Sequence, residues 1–511
     1  MDAEKQLPGP GLAAAAPVDD HDHDHDKGLV SNLAEQSAIP EQPYGIWSLL
    51  AMGYSVSNTA MSLTASLITG IGSGGPVVFT WGQIMIFIFS LCVACSLAEM
   101  ASAFPHPGGQ YYWASRLAPQ SIRRGVSYLV GLLSWAGVVL TCASGTLAIP
   151  SMVIGMLILR NPDFSFHPWQ LFVGYQITNI FIASFNFVEF LLPKASLFNM
   201  WWSVTSIVII FITVLAASPT KQSGSFVFTD YINVSGWSDG IAFLTGMLGA
   251  NWGFTNLDAV THMAEEIPNP RVNIPRALMA TVITGIGVSF PYAVGLMFSI
   301  QSVDDILTTP TGVPSLALFR QVLGNDAGAI GLQCLILIAF VGAIQGVHTW
   351  QARVAWAFAR DHGWPFSSKL AEIAPAPFQT PIYAHLWSCG AVALLGCLYL
   401  GSTVAFNSFI GAGILFQYLS YSVCIILLLL RGRSSIPHGP FWYPRLGYIA
   451  NLVTLAWTTV TLIFYCFPTA YPTTASTMNY ASCVVAFIFL YAGFYWALWG
   501  RKTFTLPREK L

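Results

Sequence analysis

Charge is what this sequence has least of. Asp, Glu, Lys and Arg make up 9% of its 511 residues, against about 25% in a soluble domain. Such a length otherwise implies about three soluble domains, and so few charges cannot cover them. Positive and negative charges nearly cancel, at −2, so there is no basic surface to hold nucleic acid. The N-terminal stretch lacks basic residues followed by an apolar core, which argues against a cleavable signal peptide. No His-Glu-x-x-His or Gly-x-Ser-x-Gly sequence is present, and His262, His348 and His385 are scattered. A membrane-embedded enzyme with convergent catalytic groups is therefore not expected. Nothing points to a cofactor or a bound metal. Cys92, Cys95, Cys389 and Cys397 lie inside apolar runs and read as small packing residues.

Apolar length is abundant. Hydrophobic residues are 54% of the chain, with 44 Gly and 17 Trp, as membrane helices and their interfacial aromatic belts allow. A bilayer crossing needs roughly 20 apolar residues. Runs of that length predict an all-α integral membrane protein with twelve transmembrane helices. They lie near 45–67, 76–103, 126–158, 169–191, 196–217, 239–262, 276–300, 328–358, 382–400, 403–430, 446–467 and 479–500. Residues 1–43 read differently. They are polar, carry the run from Asp19 to Asp26 with His21, His23 and His25, and predict a disordered tail. Residues 501–511 form a short C-terminal tail. With both tails cytoplasmic, 18 of the 21 Lys and Arg fall inside, leaving only Arg160, Lys221 and Arg320 outside, as the positive-inside rule demands. The sequon at Asn233 then falls outside, as a candidate glycosylation site.

Two predicted spans are unusual. The first contains Gly53-Tyr54-Ser55-Val56-Ser57-Asn58-Thr59-Ala60-Met61-Ser62, small and polar residues at mid-membrane depth. The sixth contains Gly249 to His262, which mixes Gly, Asn and Thr with Trp252, Phe254 and one acid, Asp258. Polar backbone at that depth is tolerated where it lines a cavity or packs on protein. Small residues also permit plain helix packing. Five spans apart, however, the two stretches match the broken helices that hold solute in many secondary transporters. Ser57, Asn58, Thr59, Trp252, Phe254, Thr255 and Asp258 are the candidate substrate contacts. Asp258 can pair with a cation or take up a proton, and the aromatic faces suit alkylammonium groups. Glu265, Glu266 and Arg271 read as gate or loop contacts. His348 reads as a buried, hydrogen-bonded histidine.

Further motifs carry a family resemblance. Thr69-Gly70-Ile71-Gly72-Ser73-Gly74-Gly75-Pro76 follows the first span. Ser96-Leu97-Ala98-Glu99-Met100-Ala101 ends the second. Glu265-Glu266-Ile267-Pro268-Asn269-Pro270 follows the sixth, and Phe358-Ala359-Arg360-Asp361 ends the eighth. In this order and spacing, residues 44–500 resemble the amino acid–polyamine–organocation superfamily, and within it the fungal amino acid/choline permeases. The resemblance implies a leucine-transporter-like fold: inverted repeats of five helices each (about 45–217 and 239–430) plus two extra helices (about 446–500). It implies a symporter or exchanger for a small amine or amino acid, choline-like slightly favoured over GABA, with Trp252 at an aromatic gate and Asp258 at a proton-linked acidic position. A transporter-like nutrient receptor is the rival of another class. Some relatives carry a lysine deep in the fifth span. Here that stretch reads Ser203-Val204-Thr205-Ser206, which leaves protons through Asp258, or no coupling at all, as the alternatives. Substrate identity and oligomeric state are not legible.

Overall fold

The computed structural model describes residues 44–507. The predicted N-terminal tail, with its His/Asp run and Lys5 and Lys27, lies outside the described residues, as do Arg508 and Lys510 of the C-terminal tail. Among the described residues the fold is helical, apart from one two-residue ribbon. Nine helices among the described residues are long and apolar enough to cross a membrane. The three predicted spans that fall short do so for visible reasons, since two are broken and one is short and polar.

The first span is three pieces: α1 (Ile46–Ser57), α2 (Thr59–Ala65) and α3 (Leu67–Gly72). Asn58 separates α1 from α2 in the left-handed conformation, at φ 36° and ψ 58°, which asparagine tolerates better than other β-carbon-bearing residues. At the second bend Ser66 Oγ donates to the Ser62 carbonyl, 2.8 Å away, a local competitor of the helical ladder. The second span enters through a wide turn at Val78–Gly82 and continues as α4 (Gln83–Ala103). A short α5 (Gln110–Leu117) leads into α6 (Arg123–Arg160).

The fourth span, α7, covers only Pro168–Phe185, ending before the expected 191. Asn186 caps it, and Glu189–Leu191 forms a separate turn ahead of α8 (Leu192–Ala217). The loop beyond α8 pairs Ile232 and Asn233 with Gly74 and Ser73 in the antiparallel ribbon. The sixth span begins as α9 (Asp239–Trp252), loses helical geometry at Gly253, and resumes as a tighter turn over Leu257–Met263. Asn256, left-handed at φ 66°, makes the turn between them. Then follow α10 (Pro270–Ser299), α11 (Asp326–Arg360), α12 (Ile382–Gly401), α13 (Thr403–Arg431), α14 (Pro444–Phe464) and α15 (Ala481–Tyr495).

Two packings place the site. α10 runs along α4, and α13 along α6. The first span sits between α8 and α10, and the lower sixth span touches α1 and α11. Outward faces of the bundle are apolar, with Ile177, Ile180, Leu394, Leu430 and Leu490 more than 60% exposed. So contiguous an apolar exterior suits lipid rather than water. All nine cysteines are free thiols.

Candidate functional site

The breaks of the first and sixth spans meet. Ser57 Oγ donates to the Thr255 carbonyl at 3.1 Å, and Thr59 Oγ1 donates to the Gly253 carbonyl at 2.9 Å. A broken helix leaves backbone groups that hydrocarbon cannot satisfy, and here side chains from the opposite break take them up. Thr255 Oγ1 closes on its own chain, donating to the Trp252 carbonyl at 2.8 Å. Gly253 is needed for this approach, because a β-carbon there would come within 2.9 Å of the Thr59 carbonyl.

A third element joins them. Gln417, midway along α13, accepts from the Asn256 backbone N–H at 2.9 Å and donates to Asn256 Oδ1 at 2.8 Å. Its Nε2 also lies 3.1 Å from Thr141 Oγ1 of α6. On the far side Ser203 of α8 donates to Asn58 Oδ1 at 2.9 Å. Asn58 Nδ2 is buried and has no partner, so the first break retains one free donor.

Ser57, Asn58, Thr59, Trp252, Phe254, Thr255 and Asp258 are all buried. The structure brings six of them to the junction of the breaks. Trp252 packs on Phe340 of α11, with ring centroids 5.9 Å apart. Phe254 and Thr59 both face Gly285 of α10. Asp258 stands apart, one turn beyond the break. Tyr421 of α13 donates to its Oδ1, and His262 Nε2 lies 3.3 Å from its Oδ2. The other ring nitrogen, His262 Nδ1, is 2.8 Å from the carbonyl of Pro107. A carbonyl only accepts, so Nδ1 carries a hydrogen. Nε2 and Oδ2 then need one proton between them to make a bond, on either atom.

The residues expected as gate or loop contacts lie at the arginine-rich end. Arg353 of α11 is buried between two carboxylates, Glu189 at 2.7 Å and Glu266 at 3.1 Å. Arg360 pairs with Glu265 at 3.0 Å and lies over the Trp356 ring. Arg433 reaches Glu99 Oε1 at 3.0 Å. Arg271 takes part through its backbone, whose carbonyl accepts from Ser102 at 2.8 Å. Tyr111 donates to Asp361 at 2.8 Å, and burial pushes the Asp361 carboxyl up to about 6. Cavities open at this end, and two adjoin these residues. One, of about 360 Å³, is lined by His106, Pro107, Tyr111, Arg360 and Asp361 among others. The second, of about 280 Å³, shares His106 and Pro107 and reaches Glu265 and Arg271. At the other end the Asn233 side chain is engaged, donating to the Trp237 carbonyl at 2.8 Å and to Asp239 at 3.0 Å.

Sequence reasoning did not single out Gln417, Tyr421 or Asn256, nor the pairing of Asp258 with His262. Gln417 and Tyr421 had one legible signal, polar groups one turn apart inside an otherwise apolar run.

Two broken spans sealed on each other within an apolar-faced helical bundle define a multi-pass membrane transporter. The particular family follows from comparison. The family described as amino acid permease matches residues 44–489, and the chain belongs to it. A choline transporter of Saccharomyces cerevisiae is 40% identical over 468 residues, covering 91% of this chain and 83% of that one. A swainsonine transporter of Arthroderma benhamiae is 41% identical, covering 90% and 92%. A 7-keto 8-aminopelargonic acid transporter of S. cerevisiae is 30% identical, covering 88% and 91%. The protein is accordingly a membrane transporter of small organic solutes.

Proposed function

We propose that the protein is a proton-coupled carrier of a small organic cation, with a choline-like quaternary amine favoured. The carrying observation is the junction of the two breaks, where Ser57, Asn58, Thr59, Thr255 and the aromatic rings of Trp252 and Phe254 come together. The three relatives named above carry solutes that share one chemical feature, a nitrogen able to bear positive charge. An aromatic face attracts such a group by cation–π interaction, and the carbonyls of Gly253 and Thr255 lie ready beside it. Solute entering this junction displaces the Ser57–Thr255 and Thr59–Gly253 bonds, and the freed carbonyls meet its cationic group by ion–dipole attraction. The breaks are thereby released from each other, and access alternates.

Protons enter through Asp258. The support is the chain of contacts from the arginine-rich end inward: the Pro107 carbonyl at the cavity wall, His262, Asp258 and Tyr421. A proton shared by Asp258 Oδ2 and His262 Nε2 completes the bond that steadies the imidazole, whose Nδ1 hydrogen ties the lower half of the sixth span to Pro107. Loss of that proton sets two lone pairs against each other and loosens this end. Arg353, Arg360 and Arg433, each held by a glutamate, form the gate on the same side. We assign that side to the cytoplasm, with both tails, in the plasma membrane. Residues 45–217 and 239–430 act as two five-helix repeats, with 446–500 as two helices outside them, twelve in all, and Asn233 faces outward.

Uptake of labelled choline, ethanolamine, GABA and basic amino acids into transporter-deficient cells, with and without a proton gradient, tests the reading. Gradient-dependent accumulation of choline supports it. Accumulation of GABA alone moves the substrate to an amino acid. The rival of a transporter-like receptor predicts no flux into vesicles containing only this protein.

A further inference from the structure

Away from the junction, three metal-ligating side chains converge between α11 and α12. His348 comes from α11, and His385 and Cys389, one turn apart, come from α12. All three are buried, and one ligand atom from each lies within 4.8 Å of the others. Cys389 Sγ is 3.4 Å from His348 Nδ1 and 3.7 Å from His385 Nδ1. With metal–nitrogen bonds of about 2.0–2.1 Å and metal–sulfur bonds of about 2.3 Å, a three- or four-coordinate site has sulfur–nitrogen edges of roughly 3.6–3.8 Å. The measured edges, 3.4 and 3.7 Å, lie near that spacing; the sulfur is also 3.6 Å from His385 Nε2, so it must swing from beside the His385 ring toward Nδ1 to share an ion with it.

The surroundings of His385 fit a ligand, whereas His348 Nε2 is buried without a partner. His385 Nε2 lies 3.1 Å from the Ala183 carbonyl, which holds a hydrogen on Nε2 and frees the Nδ1 lone pair to face the cluster. Metal-ligating histidines are typically oriented by such a second bond. Gln351, one turn below His348, supplies an independent sign. Its Nε2 lies 3.3 Å from His348 Nδ1 and 3.7 Å from Cys389 Sγ, while its Oε1 is buried without a partner. Turning the Gln351 amide over presents the orphaned oxygen to the cluster as a fourth donor.

We propose that His348, His385 and Cys389 form a buried imidazole–thiolate site for a thiophilic d10 cation, Cu(I) ahead of Zn(II), which staples α11 to α12. Soft thiolate selects these two ions. Charge favours the first. Binding breaks the Cys389 S–H bond, releases its proton to solvent and forms a metal–sulfur bond. Cu(I) with one thiolate and two neutral imidazoles is then uncharged, whereas Zn(II) leaves one positive charge in a low-dielectric interior, where isolated charge is costly. Zn(II) needs Gln351 Oε1 to complete its preferred four ligands.

The test uses the full-length protein without a polyhistidine tag. His21, His23 and His25 are replaced by Ala, so that the tail cannot hold metal. After growth with copper and zinc and purification without chelator, elemental analysis is expected to find about one ion per chain. X-ray absorption at that metal's edge is expected to show one sulfur and two nitrogen neighbours. Copper supports the neutral complex, and zinc supports the same site with its fourth ligand. Cys389→Ser is expected to lower occupancy about tenfold or more while the protein stays monodisperse and still transports. Metal-free protein, occupancy unchanged in Cys389→Ser, or a spectrum without sulfur overturns the proposal, leaving a hydrogen-bonded cluster only. If Cys389→Ser does not fold, the absorption spectrum of the unsubstituted site decides.

Discussion

Replacing Asp258 with asparagine tests the proposed proton coupling apart from folding. The amide reproduces both bonds of the carboxyl group. Its Oδ1 can accept from Tyr421, and its Nδ2 can donate to His262 Nε2 across the present 3.3 Å. His262 then stays neutral with its Nδ1 hydrogen on Pro107, so no buried donor or acceptor is orphaned and stability should change little. The exchangeable proton is gone, however. On the proposed reading, the one proton shared by Nε2 and Oδ2 travels with each solute. One pH unit across the membrane is then worth about 1.4 kcal/mol, or a tenfold accumulation. A cation is also driven by voltage, at about 2.3 kcal/mol per 100 mV, so the potential must be clamped. Reconstituted vesicles with potassium and valinomycin on both sides and a pH step of one unit provide the assay. Unsubstituted protein should concentrate labelled substrate about tenfold, and Asp258→Asn should only equilibrate it, at a comparable exchange rate. Tenfold accumulation by Asp258→Asn would remove the acid from the mechanism.

Other expectations follow from the same geometry. Gln417→Leu leaves the Asn256 N–H and Oδ1 unpaired, a loss of roughly 1–3 kcal/mol per buried group, read as a lower thermal midpoint of the purified protein. Unchanged stability would mean that the sixth break does not depend on α13. Arg353→Met strands Glu189 and Glu266 together in the interior, at roughly 3–5 kcal/mol. Adding Glu189→Gln and Glu266→Gln should restore part of the lost midpoint, and no recovery would refute the triad as an electrostatic unit. Asp361 binds its proton more tightly in the folded protein than in an unfolded chain, because burial raises its carboxyl to about 6 from near 4. Its contribution is therefore full below about pH 4 and falls away as pH rises to about 6. The thermal midpoint should decline across that window, and Asp361→Asn should flatten the decline.

The places where chain and fold agree are those where the signal is local. The second, third, eighth and tenth spans follow their apolar runs to within a few residues, because hydrocarbon demands one uninterrupted helix of sufficient length. The breaks were legible for the converse reason, since Asn58 and Gly253 sit where a straight helix has no use for them. The fourth span was overextended because Phe187, Val188 and Phe190 are as apolar as the helix before them. Only the turn at Asn186, whose side chain is held by Gln345 and Thr349 of α11, ends it earlier.

By itself the sequence determined the membrane class, the position of most of the long helices, the two polar interruptions and the family, all of which rest on composition and order along the chain. It even carried the makings of the Asp258–His262 contact, since His262 lies one helical turn from Asp258. Tertiary structure alone decided the partners: Tyr421 for Asp258, Gln417 for Asn256, Glu189 and Glu266 for Arg353, and Cys389 beside His348. These groups lie tens to hundreds of residues apart. A buried polar atom accepts whichever complementary atom the packed helices bring within about 3 Å, and that distance is fixed by crossing helices rather than by any neighbour in the chain.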